Sequence, residues 1–277
     1  RSSVLGGNKE RLDVALASRG LAESREKAKS LIMSGEVFVD GIKYDKPGST
    51  VSEDALIEVK SKRSKYVSRG GYKLEKALDF FGIDPEGLTV LDAGASTGGF
   101  TDCLLRRGAA KVYAADVGYG QLAWSLRTDE RVVTLERTNA RYITLDMLGR
   151  PVDMAVMDLS FISLRLVLPA VNTVLREDGQ VVCLIKPQFE AGKEKVGKRG
   201  VVRDPSTHID VLRQFTEELD GLGFSLLGLT FSPIKGPEGN IEYLGYLKKG
   251  RGGSVCIDIP SLVRASHEEL ASPGEST

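Results

Sequence analysis

The chain has 277 residues, 41% of them hydrophobic, and its 38 Lys and Arg balance 38 Asp and Glu to a formal net charge of zero. That length suits one large domain or two smaller ones, and that hydrophobic content excludes disorder throughout, which needs low hydrophobicity and excess charge. No apolar run approaches the roughly 18 residues of a transmembrane helix; the longest strand-like run is Val181–Ile185.

No signal peptide opens the chain, and it begins Arg-Ser-Ser rather than Met, so the natural start is expected further upstream. Cys103, Cys183 and Cys256 form an odd set without metal-like spacing, which points to a reducing, cytoplasmic setting. His208 and His267 are the only histidines in the sequence, which disfavours His-rich metal sites and most His-based catalysis. The zero balance hides an asymmetry. Residues 1–73 carry 15 Lys and Arg against 10 Asp and Glu, and the remainder carries 23 against 28. A basic front on an acidic body suggests a polyanion-binding module joined to something else, although a solvated charged face would look the same.

In chain order, residues 10–34 predict two short helices. Leu12, Leu16 and Leu21, then Ala28, Leu31 and Ile32, give the apolar spacing, with Gly20 as the break, Ser24 as a cap and Gly35 as the end. Val37 and Val39 alternate as a strand, Asp40-Gly41 is a hairpin turn, Ile42–Tyr44 returns, and Ala55–Val59 is a further strand. Residues 9–60 thus read as a small α+β domain. The basic stretch that follows places a linker over 61–71. A helix is expected over Tyr72–Phe81.

From Leu88 onward strands and helices alternate. Strands are expected at Thr89–Leu91, Lys111–Ala115, Val132–Leu135, Met154–Met157, Gln180–Ile185, Ser225–Phe231 and Glu242–Leu247. Helices are expected at about 98–107, 119–127, 162–176 and 206–222. The pattern implies an α/β, doubly wound sheet over 72–249. The last two strands have no helix between them, so they are expected to pair antiparallel. A seven-stranded sheet of that layout resembles the class I methyltransferases, which share a Rossmann-like sheet. Residues 190–204 form a long irregular loop with five Lys and Arg, of the kind that often serves function. Residues 250–277 read as a C-terminal tail.

The segment Leu88–Phe100 is a strand, a Gly-rich turn and a helix start. Its Gly94, Ala95, Ser96 and Gly98 have the spacing Gly-x-x-x-Gly, not the Gly-x-Gly-x-x-Gly of a dinucleotide fingerprint. Asp92 precedes Gly94 by two residues. S-adenosyl-L-methionine has no pyrophosphate but carries an ammonium, a carboxylate and a ribose. Asp92 is expected near its methionine end, Asp116 at the next strand end on the ribose hydroxyls, and Asn139 at the adenine. A helix N-cap is the other reading of Asp116.

Asp158 and Lys186 end the fourth and fifth strands of the sheet. Strand C-termini in an open α/β sheet face the ligand crevice, so an acid and a lysine are expected side by side at the cofactor's methyl end. A snorkelling surface lysine is the plainer reading of Lys186. Asp158-Leu-Ser-Phe161 is loosely similar to the Asp/Asn-Pro-Pro-aromatic motif of amine methyltransferases, but the Pro-Pro is absent. A hydroxyl acceptor gains more from a base than an amine does.

At this point the chain resembles the TlyA family, the haemolysin A proteins, over residues 9–248. The marks are Ser24-Arg-Glu-Lys-Ala-Lys29, Ser68-Arg-Gly-Gly-Tyr-Lys-Leu74, Asp158-Leu-Ser-Phe161, Lys186-Pro-Gln-Phe189 and Gly239-Asn-Ile-Glu242-Tyr243. The family joins an S4 RNA-binding domain to an FtsJ-like ribose 2′-O-methyltransferase. FtsJ-like enzymes use a Lys-Asp-Lys-Glu tetrad, and the matching positions are Lys73, Asp158, Lys186 and Glu242. Taken singly, Lys73 and Glu242 read as ordinary surface charges. The resemblance implies that Lys186 is the general base toward the 2′-OH, with Lys73 lowering its pKa and Asp158 and Glu242 raising it. It also implies that Arg11, Arg25, Lys27 and Lys29 present charge to RNA phosphates, extended by Lys62, Arg63 and Lys65; few aromatics are at hand, which favours recognition by phosphate and shape. The loop at 190–204 is expected to close over the substrate.

The expectation is therefore a cytoplasmic rRNA methyltransferase that uses S-adenosylmethionine, no metal and no membrane, and meets rRNA in a ribosomal subunit or ribosome. The alternatives are a membrane-lytic protein, as the haemolysin name suggests, a non-catalytic rRNA-binding protein, and a base methyltransferase.

Overall fold

A computed structural model describes residues 8–60 and 64–271. In the N-terminal domain, β1 (Lys9–Arg11) leads into α1 (Leu12–Ser18) and α2 (Arg25–Met33). Four short strands follow: β2 (Val37–Val39), β3 (Ile42–Tyr44), β4 (Thr50–Ser52) and β5 (Ile57–Val59). They form an antiparallel β3-β2-β5 sheet and a β1-β4 pair. Leu12, Leu16, Ala28, Ile32 and Ile57 make its own core. Ser24 caps α2 as expected, accepting the Lys27 N–H. The β1-β4 pair was not legible, because three residues are too few to show alternation.

The larger domain opens with α3 (Gly70–Phe81), whose Leu74, Ala77 and Leu78 are buried. Then come β6 (Thr89–Ala93), α4 (Gly99–Arg106), β7 (Lys111–Ala115), α5 (Trp124–Arg127), β8 (Val132–Leu135), α6 (Leu145–Leu148), β9 (Val152–Met157), α7 (Leu164–Val174) and β10 (Leu175–Ile185). The chain continues through α8 (Pro187–Glu190), α9 (Pro205–Glu218), β11 (Phe224–Phe231), β12 (Tyr243–Lys249) and α10 (Ile259–Glu269). The sheet order is β11-β12-β10-β9-β6-β7-β8. Only β12 runs antiparallel, inserted between β10 and β11. Strand order reverses between β6 and β9, and that switch point is where such sheets open a ligand crevice. Alternate residues of β6 feed two cores: Leu91 and Ala93 face one, Val90 the other. That explains its unbroken apolar burial.

Three expectations need correction. Residues 64–71 are not a free linker: Tyr66 is 3% exposed in the core beside α3, and the Val67 N–H donates to Asp102. The helix expected over 119–127 is only the four residues of α5, and Gly120, at φ +68°, interrupts the start of the expected range. The expected tail holds α10, capped by Asp258, with Ile259 and Val263 packed one turn apart into the core. Its sequence signal was the cap Asp258 followed by Pro260.

Candidate active site

Four side chains from distant parts of the sequence meet at the C-terminal edge of the sheet. Lys73 comes from the first turn of α3, Asp158 follows β9, Lys186 follows β10 and Glu242 precedes β12. Lys73 Nζ lies 2.6 Å from Glu242 Oε1, and Lys186 Nζ lies 2.6 Å from Asp158 Oδ1 and 4.0 Å from Glu242 Oε2. Lys73, Lys186 and Glu242 are only 6%, 7% and 1% exposed, so neither snorkelling nor surface charge describes them. The Asp158 side chain keeps a quarter of its surface open to the cleft.

Two close approaches build this cluster. A side chain at Gly99 would press within 2.3 Å of Ser68 Oγ and 2.7 Å of the Gly71 nitrogen, so only glycine lets α3 and α4 meet at their N-termini and deliver Lys73. Gly94 has φ +85°, and a Cβ there would lie 2.4 Å from the Asp158 carbonyl oxygen. The glycine therefore serves contact between the two strand ends, not only approach of a ligand.

Burial pushes the Lys186 ammonium toward lower pKa, but the carboxylates of Asp158 and Glu242 outweigh it and hold it above the ordinary lysine value. Burial likewise pushes Asp158 up, and Lys186 and Lys73 overcome it to hold the carboxyl below its usual range. Lys186 and Asp158 thus rest as an ion pair. Sequence reasoning missed two partners: Ser160, which accepts from Lys186 Nζ at 3.3 Å, and Gln188, which donates to Glu242 at 3.2 Å. Both lie inside the quoted motifs, where position was the only signal. It also missed Phe161, at 90% exposure and φ +64°, with its ring 5.0 Å from that of Phe189.

The cofactor candidates lie at the ends of β6 and β7 and after β8, and only Gly94, Ala95 and Ser96 of them line the cleft beside the tetrad. Asp92 is fully buried; Thr101 donates to its Oδ2 at 2.7 Å, while its Oδ1 has no hydrogen-bond partner among the described residues. Burial pushes its carboxyl up to about 7. Asp116 accepts backbone N–H groups of Ser96 and Gly118 at 2.7 and 2.8 Å, with lone pairs to spare for two ribose hydroxyls. It caps no helix, since α5 begins only at Trp124. Gly94, Ala95 and Ser96 line a cleft of about 730 Å³ that also reaches Asp158 and Lys186. Gly98, at φ +107°, starts α4. Asn139 is exposed and spends its carbonyl capping the Ala140–Tyr142 turn. An orphaned buried carboxylate for an ammonium and a half-satisfied one for a ribose fit S-adenosylmethionine.

The N-terminal domain forms the opposite wall of this cleft, with Leu21, Lys27 and Leu31. Arg11 and Arg25 both bond the fully buried Asp13, at 3.0 and 2.8 Å, while their side chains stay about half exposed. Their hydrogen bonds, led by that of Arg11, hold Asp13 far below the usual carboxylate range. Lys27 is exposed, Lys29 half-buried, and Lys65 is exposed but paired to Glu75. Lys62 and Arg63 lie outside the described residues. The loop at 190–204 is anchored: buried Asn240 accepts the Val202 N–H and donates to the Gly200 carbonyl, at 2.9 Å each. Among the described residues no group of three His, Cys, Asp or Glu could hold a metal, and no helix is long and apolar enough to cross a membrane.

Residues 66–249 match the FtsJ-like methyltransferase family and residues 10–57 the S4 domain. A candidate rRNA methyltransferase of Bacillus subtilis, YqxC, is 53% identical over 268 residues, 95% of each chain. The 16S/23S rRNA (cytidine-2′-O)-methyltransferase TlyA of Mycobacterium tuberculosis is 51% identical over 239 residues, 86% of this chain and 89% of that one. The solved structure of a candidate haemolysin from Streptococcus thermophilus, 46% identical, superposes with a TM-score of 0.76 over 96% of this chain and 98% of that one.

Proposed function

Because the chain belongs to the TlyA (haemolysin A) family, an S4 domain joined to an FtsJ-like methyltransferase that uses S-adenosylmethionine, we propose that it methylates a ribose 2′-hydroxyl of rRNA. The convergence of Lys73, Asp158, Lys186 and Glu242 beside the crevice carries this reading. The relative's name gives the acceptor as cytidine, and we take cytidine in a cytoplasmic ribosomal subunit or ribosome as the target.

Bound S-adenosylmethionine supplies an electrophilic methyl on a sulfonium. Asp92 would hold its ammonium, Asp116 its ribose, and the Gly94–Gly98 turn its methionine end; Asn139 has its amide left for adenine. The tetrad handles the acceptor. Lys186 Nζ faces the cleft and takes the 2′-OH proton as the new O–C bond forms and the C–S bond breaks. Its resting charge opposes this, because Asp158 and Glu242 favour the ammonium. A sulfonium cation nearby, and a ribose that displaces a carboxylate contact, both favour the amine. Asp158 and Glu242 orient the lysine, and Lys73 holds Glu242 in place. In-line placement of the acceptor supplies much of the remaining rate.

The test is to incubate the protein with radiolabelled S-adenosylmethionine and ribosomal subunits from a strain lacking this gene, then digest the RNA to nucleosides. Label is expected in 2′-O-methylcytidine. Label on a base, or none while the cofactor binds, would overturn the proposal.

Two predictions follow the proposed ligands. The ammonium selects ionised Asp92, whose free carboxyl titrates at about 7. Binding must then expel a proton at lower pH, so S-adenosylmethionine affinity should fall as pH drops below 7, by up to about tenfold per unit. Calorimetry between about pH 6 and 8 checks this, and Asp92→Asn should flatten the dependence. On the RNA side, replacing both Lys27 and Lys29 with Ala should weaken binding and reduce the salt slope by roughly two phosphate contacts. Filter binding across salt concentrations measures it; an unchanged slope would remove both from the interface.

A further inference from the structure

Ile57 of β5 faces the S4 core, so alternation turns its neighbour Glu58 outward. An outward strand residue is normally solvated, yet Glu58 is 1% exposed. The covering element is the segment that follows β7. Glu58 Oε2 accepts the Trp124 N–H at 3.3 Å, and the Arg19 carbonyl accepts from Gln121 Nε2 at 3.2 Å. Gly120 lies against Leu56 and the Ala55 carbonyl, where a Cβ would be 3.5 and 3.6 Å away.

This is the same segment that carries Asp116. Its inner side is held to the cofactor turn by Ser96 N–H to Asp116, at 2.7 Å, and by Ala123 N–H to the Thr97 carbonyl, at 2.9 Å. Its own domain also holds it, through Gly120 N–H to Glu136 at 3.2 Å and Arg137 N–H to the Gly118 carbonyl at 3.1 Å, but its contacts with the other domain fall on Trp124, Gln121 and Gly120. No side chain of α5 or its N-cap Ala123 caps the helix, and Glu58 from the other domain takes the Trp124 N–H in that role. The segment is therefore clasped between the cofactor turn and the S4 domain.

We infer that Glu58, together with the Arg19 carbonyl, is a positioning element for the cofactor site: the S4 domain holds the Asp116 segment in its ribose-binding shape. Arg19 is itself fixed, its guanidinium donating to the Ala55 and Glu53 carbonyls at 2.6 and 2.8 Å and pairing with Glu10 at 2.7 Å. The two domains thus meet through Glu58, the Arg19 carbonyl and the close approach at Gly120. The inference rests on the reading that Asp116 binds the cofactor's ribose.

The experiment uses the full chain in three variants, Glu58→Ala, Glu58→Gln and Gln121→Ala. Gln121→Ala removes the bond to the Arg19 carbonyl from the methyltransferase side and leaves the S4 fold alone. Calorimetry with S-adenosylmethionine and steady-state kinetics with rRNA are the readouts. Glu58→Ala and Gln121→Ala should each weaken S-adenosylmethionine and raise its KM roughly fivefold, the lower end of ordinary coupling. kcat and the KM for RNA should stay within about twofold. Glu58→Gln keeps an acceptor oxygen and should recover most of the affinity. Wild-type cofactor affinity in both truncations would overturn the inference, as would a loss confined to Glu58→Ala and matched by lost RNA binding. A wild-type protein that binds no S-adenosylmethionine would instead sink the cofactor reading beneath it.

Discussion

Lys186→Ala should lower methyl transfer by about 10²- to 10⁴-fold, the usual worth of a general base, while S-adenosylmethionine binds within about twofold of wild type. Lys186 touches Asp158, Glu242 and Ser160, and none of the proposed cofactor ligands. Lys186→Arg separates base from placement. It keeps the cation and its donors but cannot take up a proton, so it should be as inactive as the alanine variant. A pH profile of single-turnover rates gives a second check. Since the carboxylates hold the free lysine above its ordinary value, the amine fraction, and with it the rate, should climb through the alkaline range. An arginine variant with near-normal rates, or a flat profile, would reduce Lys186 to a positioning residue.

Glu242→Ala should cost stability as well as activity. The carboxylate lies 2.6 Å from Lys73, and the two side chains are 1% and 8% exposed. Removing one partner of such a pair strands the other, at about 3–5 kcal/mol. At 2–4 °C per kcal/mol for a domain of this size, the melting midpoint should fall by roughly 10 °C. Glu242→Gln, which keeps bonds to Lys73 and Gln188, should melt closer to wild type yet still transfer poorly. Differential scanning calorimetry, beside the nucleoside assay, measures both. A Glu242→Ala midpoint equal to wild type would mean that the pair carries no stability.

Much of the architecture was written in local pattern. The strands of the large sheet are mostly apolar runs, and all seven fall where the pattern places them, with ends within five residues. Asp158 and Lys186 were legible from position alone, as polar residues closing buried strands. Lys73 and Glu242 were not: one sits in a charged helix turn, the other before a strand, and only tertiary contact distinguishes them from surface charges. Resemblance supplied what spacing lacked. Burial was invisible for Glu58 as well, since its strand alternates correctly for a solvated residue and the covering segment lies 66 positions away. Residues 64–71 misled because Lys and Ser mask the buried Tyr66. The segment after Lys249 misled because Gly and Ser precede α10.

The place of β12 has a bearing on how the enzyme comes into being. Lys73 and Glu242 are 169 residues apart in sequence, and β12 enters the sheet between two strands already synthesised. Until it does, β10 has an open edge, a surface that invites pairing with other chains. An emerging chain that stops short of this strand carries the S4 domain, the cofactor turn and Lys186, but it has neither a closed sheet nor the acid that pairs Lys73. The acid that pairs Lys73 thus arrives only near the end of synthesis, and a chain that stops before it lacks one member of the tetrad.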